Sequence, residues 1–434
     1  MPVARTLPVA RCLLPVSCFL FLLVLPGTSF AEVIALVNGT VHTIEGPRLE
    51  RATVVIDGER IVSVGTGAPP AGARVIDVAG KVVTPGFVET QGSLGLVEIS
   101  LEDSSVDARP SGGEAADAIR AAFLAADGLN PRSTLIPIGR RGGVTSAVSA
   151  PDGGLVAGRS AWIDLDGDTP DRLVARSPLA LHVDLGDGGI AAGGGARSTA
   201  FGRLREAFDD ARLYAKNKGA YDRRAFRETP LSRLDLEALG DALAGRIPVV
   251  IRTARASDVL RVLDLARELR LRLILAGAEE GWMVADRIAA AQVPVIVHPL
   301  ENLPGSFSSL GTRYDNAARL AAAGVRVVLS TGADDGHGVR NLRQEAGNAV
   351  THGMPLELAL RSVTLEPART FGMDRDYGSL AAGKVANVVV WSGDPFEIST
   401  RVERVFVRGR ETSLVTRQTQ LRDRYRRLPA PPAP

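Results

Sequence analysis

The sequence predicts an α/β protein in which a (β/α)8 TIM-type barrel is joined to a small β-sandwich domain built from both ends of the chain. Three observations carry that expectation. Apolar strand-like runs alternate with helix-like segments through the middle of the chain, as parallel βα units require. Short β-rich runs punctuated by turn dipeptides open the chain and return near its end. The length, 434 residues, suffices for a large barrel and a second unit.

Taken in order, residues 1–31 read as a secretory signal peptide. Arg5 and Arg11 supply its positive end, Leu13 to Leu25 the apolar stretch, and Ser29-Phe30-Ala31 a small-x-small cleavage site. Both cysteines, Cys12 and Cys18, fall inside it, so the mature chain is expected to carry neither a disulfide nor a thiolate ligand. The expected location is periplasmic or secreted, with no stable membrane span after cleavage. A net charge of +2 gives no reason to expect nucleic acid as a partner.

Val33 to Val37, Val41 to Ile44, Ala52 to Ile56, Arg60 to Val64 and Val75 to Val78 read as strands, with Asn38-Gly39 and Asp57-Gly58 as hairpin turns. Val385 to Trp391 and Val402 to Val407 read as strands of the same character, so 32–80 and 376–415 are expected to form one composite domain. The barrel is expected over 81–375. Its strand candidates are Val82 to Val88, Thr145 to Val148, Ala161 to Leu165, Leu179 to Asp184, Pro248 to Arg252, Leu271 to Leu275, Pro294 to His298 and Val325 to Ser330. Helix candidates are Gly113 to Asp127, Ser198 to Asn217, Leu234 to Gly245, Ala256 to Leu269, Glu280 to Ala291 and Ala317 to Ala323. Gly186 to Gly195 reads as a flexible loop, and the glycine-rich Pro151 to Ser160 lacks the Lys-Ser/Thr ending of a phosphate loop. The tail, 416–434, reads as an arginine-rich solvated helix followed by a polyproline end.

Two stretches carry a family resemblance. Val363-Thr364-Leu365-Glu366-Pro367-Ala368-Arg369 and Gly378-Ser379-Leu380-Ala381-Ala382-Gly383-Lys384-Val385-Ala386-Asn387-Val388-Val389-Val390-Trp391 resemble the "T-x-x-P-A … G-S-L-x-x-G-K-x-A-D-x-V-V" signature of the amidohydrolase family, imidazolonepropionase-like branch, with Asn387 where Asp is usual. Pro85-Gly86-Phe87-Val88-Glu89 resembles the family's first barrel strand. The resemblance implies a barrel with a composite domain. It also implies metal-assisted hydrolysis of non-peptide C–N bonds, in which one or two divalent ions such as zinc activate water at the strand ends.

At the positions where the family places its ligands, this chain departs from the pattern. Gln91 and Ser93 stand in the His-x-His places, Arg252 and Ala276 in the two later histidine places, and Gly332 in that of the aspartate, unless Gly332-Ala333 is an insertion that leaves Asp334 or Asp335 as the carboxylate. No lysine lies at a middle strand end. Amide, hydroxyl and guanidinium groups are poor partners for zinc, so no cofactor is expected. The preferred expectation is an exported, non-hydrolytic homologue. Glu89, Gln91, Ser93 and Arg252 would line its pocket for a small polar or anionic ligand, and it could pair as a homodimer or with an active paralogue. The alternative is an active C–N hydrolase with a metal site rebuilt from His298, His337, Asp334 and Asp335.

Overall fold

The computed structural model spans Met1–Pro434, and the residues whose structure is described are 32–110, 118–223, 225–301, 303–332 and 336–426. Residues 1–31, expected to be a signal peptide, Asp334, Asp335, the first part of the helix expected over Gly113 to Asp127, and the chain from 427 onward lie outside them.

The chain opens with β1 (Ile34–His42), β2 (Arg48–Asp57), β3 (Arg60–Gly65), β4 (Arg74–Asp77) and β5 (Val82–Pro85). β2 and β3 form the hairpin expected at Asp57-Gly58, pairing Asp57 with Arg60. Asn38-Gly39 is not a hairpin turn. β1 runs straight through it, with an irregularity in its register against β2 between Leu36 and Gly39. Asn38 takes the positive φ of a bulge, 66°, and its amide donates to the Asp77 carboxylate at 2.9 Å. The dipeptide supplied the backbone conformation foreseen, but the chain spends it on bending a strand rather than reversing one.

The run read as a single strand, Val82 to Val88, is divided at Gly86. β5 belongs to the first sheet, whereas β6 (Phe87–Gly92) pairs in parallel with β7 (Val144–Ser149) in another. Gly86 is where the chain crosses, and a Cβ there would lie 1.9 Å from Thr145 Oγ1, so no larger residue fits.

Next come β8 (Val156–Arg159), β9 (Ala161–Asp164), β10 (Val174–Arg176), β11 (Leu181–Asp184), β12 (Val249–Thr253), β13 (Leu273–Gly277), β14 (Val295–Val297) and β15 (Val327–Leu329). Their hydrogen bonds make two sheets, β10-β9-β7-β6 and β15-β14-β13-β12-β11-β8, rather than one ring of eight parallel strands. β11 to β15 are parallel as expected. β9 runs antiparallel to β7, and β8, read as a loop, runs antiparallel to β11. Only Ser160 separates β8 from β9, so the chain passes directly from the edge of one sheet into the other. Val88, Val148, Trp162, Val250, Ile274, Ile296 and Val328 pack as one apolar cluster drawn from both sheets.

Helices Arg197–Lys216, Arg233–Leu243, Ala256–Leu269 and Asn316–Ala322 lie within a residue or two of their expected bounds, the second opened by a Ser232/Asp235 capping box. Glu280 to Ala291 is a 3-10 turn followed by the shorter helix Ala285–Ala290. Of Gly113 to Asp127, the described part is helical only at Ala125–Gly128. Gly186 to Gly195 is not a plain loop. It holds a helix, Asp187–Ala192, whose start is fixed by Asp184 accepting from Gly186 N at 2.7 Å and Gly189 N at 3.0 Å.

Beyond β15 and the helices that follow it the chain returns through β16 (Val388–Trp391), β17 (Val402–Val407) and β18 (Arg410–Glu411). β16 pairs antiparallel with β5, giving a sheet ordered β18-β17-β16-β5-β1-β2-β3 with β4 on β1. Residues from both ends of the chain, among them Ile34, Leu36, Ile56, Val83, Val388 and Phe406, share its core. Asn387 fastens this sheet to β7 and β9. Its amide donates to Ser146 Oγ at 3.0 Å and to the fully buried Asp164 at 3.2 Å, and its oxygen accepts from Arg408 N at 2.8 Å.

Candidate functional site

The parallel strands β11 to β15 deliver their C-terminal residues to one edge of their sheet, where sites of α/β proteins commonly form. β11 and β12 are in register with Asp184 opposite Arg252, and β12 and β13 with Arg252 opposite Ala276. At the end of β14, His298 reaches across to β6, its Nε2 lying 2.8 Å from Gln91 Oε1. Its Nδ1 lies 3.3 Å from Glu301. Both ring nitrogens therefore face acceptors. Burial alone would lower the His298 pKa, but the hydrogen bond and charge of Glu301, with the charge of Glu279, carry it above the ordinary histidine value. Burial would raise the Glu301 carboxyl, and the His298 contact brings it below its usual range instead. Glu279 is pushed up by burial, and Glu345, whose carboxylate accepts from Leu300 N at 2.8 Å, is pushed up to about 8 for the same reason.

Among the described residues, the group able to gather three ligand atoms is Glu279, His298 and Glu301, all within 4.8 Å of one another. His298 was foreseen at this strand end. Glu279 and Glu301 were missed, although each had a positional signal: Glu279 follows β13 directly after Gly277-Ala278, and Glu301 stands three residues past His298. His337 is not part of this group; it precedes the short turn Gly338–Asn341.

Gln91, Ser93 and Arg252 line one cavity together with His182, Asp184 and Asp152, of about 100 Å³. A second cleft of about 500 Å³ adjoins it, bounded by Asp184, Arg252, Glu279, Glu301, Ser306 and Ser308. Arg252 and Asp184 line both. Glu89, expected beside them, lines neither. It is wholly buried and its carboxylate is occupied: Oε1 accepts from Thr90 N at 2.8 Å, Gln91 N at 2.9 Å and the Ser330 hydroxyl, while Oε2 accepts from Thr331 N at 3.1 Å and Thr331 Oγ1 at 2.9 Å. Glu89 thus ties the end of β6 to the end of β15 and leaves no oxygen lone pair turned toward a ligand.

The strand-end residues do not fit a divalent ion in the manner the resemblance implied. The Gln91 oxygen already meets His298, Arg252 brings a fixed positive charge, and Ala276 offers no donor. At Gly332 (φ +59°) a Cβ would lie 2.9 Å from the His298 ring, so a carboxylate there and His298 in its present place exclude each other. His298 has no bare nitrogen for an ion while it keeps its two partners.

Comparisons with known proteins bear on ancestry. A model described as the amidohydrolase family matches residues 218–412. Amidohydrolase tasK of Hapsidospora irregularis is 23% identical over 376 residues, 78% of this chain and 37% of that protein. An imidazolonepropionase of Acinetobacter baumannii is 36% identical over 114 residues, 25% of this chain and 28% of that protein. The matches therefore span well under half the length of these curated relatives. Among solved structures, an amidohydrolase from Thermotoga maritima MSB8 aligns with a TM-score of 0.80 and 26% identity, covering 88% of this chain and 99% of that one. Molinate hydrolase aligns at 0.55 with 19% identity over 89% of this chain and 95% of its own, a likeness of fold.

Proposed function

From the premise that this chain belongs to the amidohydrolase family, we propose that it is an exported, barrel-shaped homologue that has exchanged its metal ions for protein cations and binds a small anionic molecule at the barrel mouth. The family supports a hydrolase-type function, and the proposal concerns what this member does with the inherited site. In this reading the two sheets are the halves of the family's (β/α)8 barrel.

The observation that carries the reading is the state of His298. Its ring occupies the space above Gly332 and both nitrogens are hydrogen-bonded, while Arg252 stands in the same cluster. Two carboxylates, Glu279 and Glu301, are balanced there by an imidazole of raised basicity and a guanidinium. A divalent ion would otherwise have supplied that charge. Arg252 also faces both cavities, where an anionic ligand would meet a planar, bidentate donor.

Metal analysis of the purified protein, with zinc and manganese supplied during growth and without chelators, tests the reading. The expected result is less than about one-tenth of an ion per chain. Stoichiometric metal would overturn it and favour a hydrolase whose site is rebuilt on Glu279, His298 and Glu301 after His298 releases Gln91. The leader-like residues 1–31 support export to the periplasm or beyond. Pairing with a second copy or with an active paralogue belongs to the same proposal, tested by co-purification.

A further inference from the structure

At the edge of the sheet opposite His298, where β15 begins, lies a cavity of about 330 Å³. Arg326 immediately precedes β15, and its carbonyl accepts from Val295 N at the start of β14. The helices Leu356–Ser362 and Leu365–Thr370 bring Arg361 and Arg369 to the same cavity, and all three guanidiniums meet one carboxylate, that of Glu366. Its Oε1 accepts from Arg361 Nη2 at 2.8 Å and from Arg369 Nη1 at 3.5 Å, and its Oε2 lies 3.4 Å from Arg326 Nε. Arg369 also reaches Glu45 at 3.1 Å, a carboxylate that Lys384 holds at 2.8 Å. Four cations thus share two carboxylates, which leaves an excess of two positive charges. Arg326 is the least engaged of them. It meets Glu366 through Nε alone, its side chain is 47% exposed, and its two terminal amino groups make no hydrogen bond or ion pair among the described residues. The rest of the cavity is apolar, with Val325, Val327 and Met354 buried and Leu358 40% exposed at the rim.

We propose that this cavity is a second binding site, for a small phosphate monoester, with the phosphate at Arg326, Arg361 and Arg369 and an apolar ester group against Met354 and Leu358. Charge selects the head group. A phosphate monoester carries about −1.5 to −2 near neutrality and presents three acceptor oxygens, which matches the excess of the cluster. A single carboxylate would leave about half of that excess uncompensated. Guanidiniums also suit phosphate oxygens as planar, forked donors. The walls select the remainder. The volume stands at the lower end of the range of about 300–1,000 Å³ that small-molecule sites occupy, and inorganic phosphate would leave the apolar side of the cavity uncovered. None of these residues belongs to the clefts around Arg252, so the proposal is independent of the anion-binding reading there.

Phenyl phosphate, inorganic phosphate and benzoate are titrated into the full-length protein by isothermal titration calorimetry. Wild type is expected to bind phenyl phosphate about tenfold more tightly than either of the others. Arg326→Gln should weaken phenyl phosphate about tenfold, and Leu358→Asp, at the exposed rim, should abolish its binding. Glu366→Gln removes the competing carboxylate without changing its shape and should tighten phenyl phosphate about threefold. A failure to fold cannot mimic losses in two variants and a gain in the third. Arg252→Ala should leave the affinity unchanged. No binding of phenyl phosphate at millimolar concentrations overturns the proposal, as does an affinity that Arg326→Gln leaves intact. Loss of binding in Arg252→Ala also overturns it, because the ligand then sits at the strand ends near His298. Equal affinities for phenyl phosphate and inorganic phosphate overturn the assignment of an ester.

Discussion

The buried Glu89 invites a substitution that changes two atoms and nothing in shape. In Glu89→Gln the new amide has two orientations. Turned toward Oε1, its NH2 would confront Thr90 N–H, Gln91 N–H and the Ser330 hydroxyl; turned toward Oε2, it confronts Thr331 N–H and the Thr331 hydroxyl. The second is cheaper, because the Thr331 hydroxyl can rotate to accept and only one backbone N–H loses its acceptor, at about 1–3 kcal/mol. The three hydrogen bonds retained at Oε1 then meet an amide oxygen, roughly half as strong an acceptor as a carboxylate, which adds about 1–2 kcal/mol. The expected loss is about 3 kcal/mol in urea unfolding followed by tryptophan fluorescence. Glu89→Leu, which leaves all three backbone N–H groups without this acceptor, should lose more. A loss below about 1 kcal/mol for Gln, or equal losses for Gln and Leu, would refute the view that Glu89 acts as a strut between β6 and the end of β15.

Three more outcomes follow from the same coordinates. Asn387→Asp would set a second carboxylate beside buried Asp164, whose pKa burial already raises, and should cost about 3 kcal/mol near neutrality. Such a pair keeps a proton to higher pH when folded than when unfolded, so the cost should shrink at pH 4.5 relative to pH 8; equal urea midpoint shifts at both would contradict it. Gly86→Ala should lower the thermal midpoint sharply, at or above the upper end of the ~1–3 kcal/mol overpacking range, because its Cβ would fall 1.9 Å from Thr145 Oγ1; Thr145→Gly in the same chain should recover part of the loss. For His182, a folded pKa of about 4 against 6.5 means the unfolded chain binds the extra proton between those values, so stability is fully present above pH 6.5 and falls as pH drops toward 4. The full swing is about 3 kcal/mol, and His182→Phe should flatten that part of a stability–pH curve; an unchanged slope would contradict the assignment.

How much of this was legible in the residues depends on the range of the force involved. Local apolar periodicity located β11 to β15 and the helices Ala256–Leu269 and Arg197–Lys216, because each element's burial pattern is written in its own side chains. The composite sheet was also readable, since β-branched runs recur at both ends. What failed was anything decided by distant partners. Asn38-Gly39 carries a turn's chemistry, yet Asp77 and the β1–β4 pairing hold it inside a strand. Gly86 divides one apolar run between two sheets because of Thr145, some sixty positions on. β8 was hidden in a glycine-rich stretch, and its antiparallel partner β11 lies some twenty positions further on. In the site, Gln91, Ser93 and Arg252 do share a cavity, but Glu89 turned inward to satisfy backbone amides, and Glu279, more than twenty positions before Glu301, joins it only through the folded position of His298.

The insertion of β5 between β1 and β16 has a consequence for biosynthesis. One flank of β5 finds its partner within the first hundred residues of the chain, while the other waits for β16, some three hundred positions later. Throughout that interval the nascent chain displays a bare row of strand amides, a surface prone to recruiting strands from neighbouring polypeptides. Closing so distant a pairing is also slow. A premature stop before Trp391 would therefore release an adhesive fragment in place of a merely shortened protein, and cells making this chain should depend on holding chaperones until its final strands arrive.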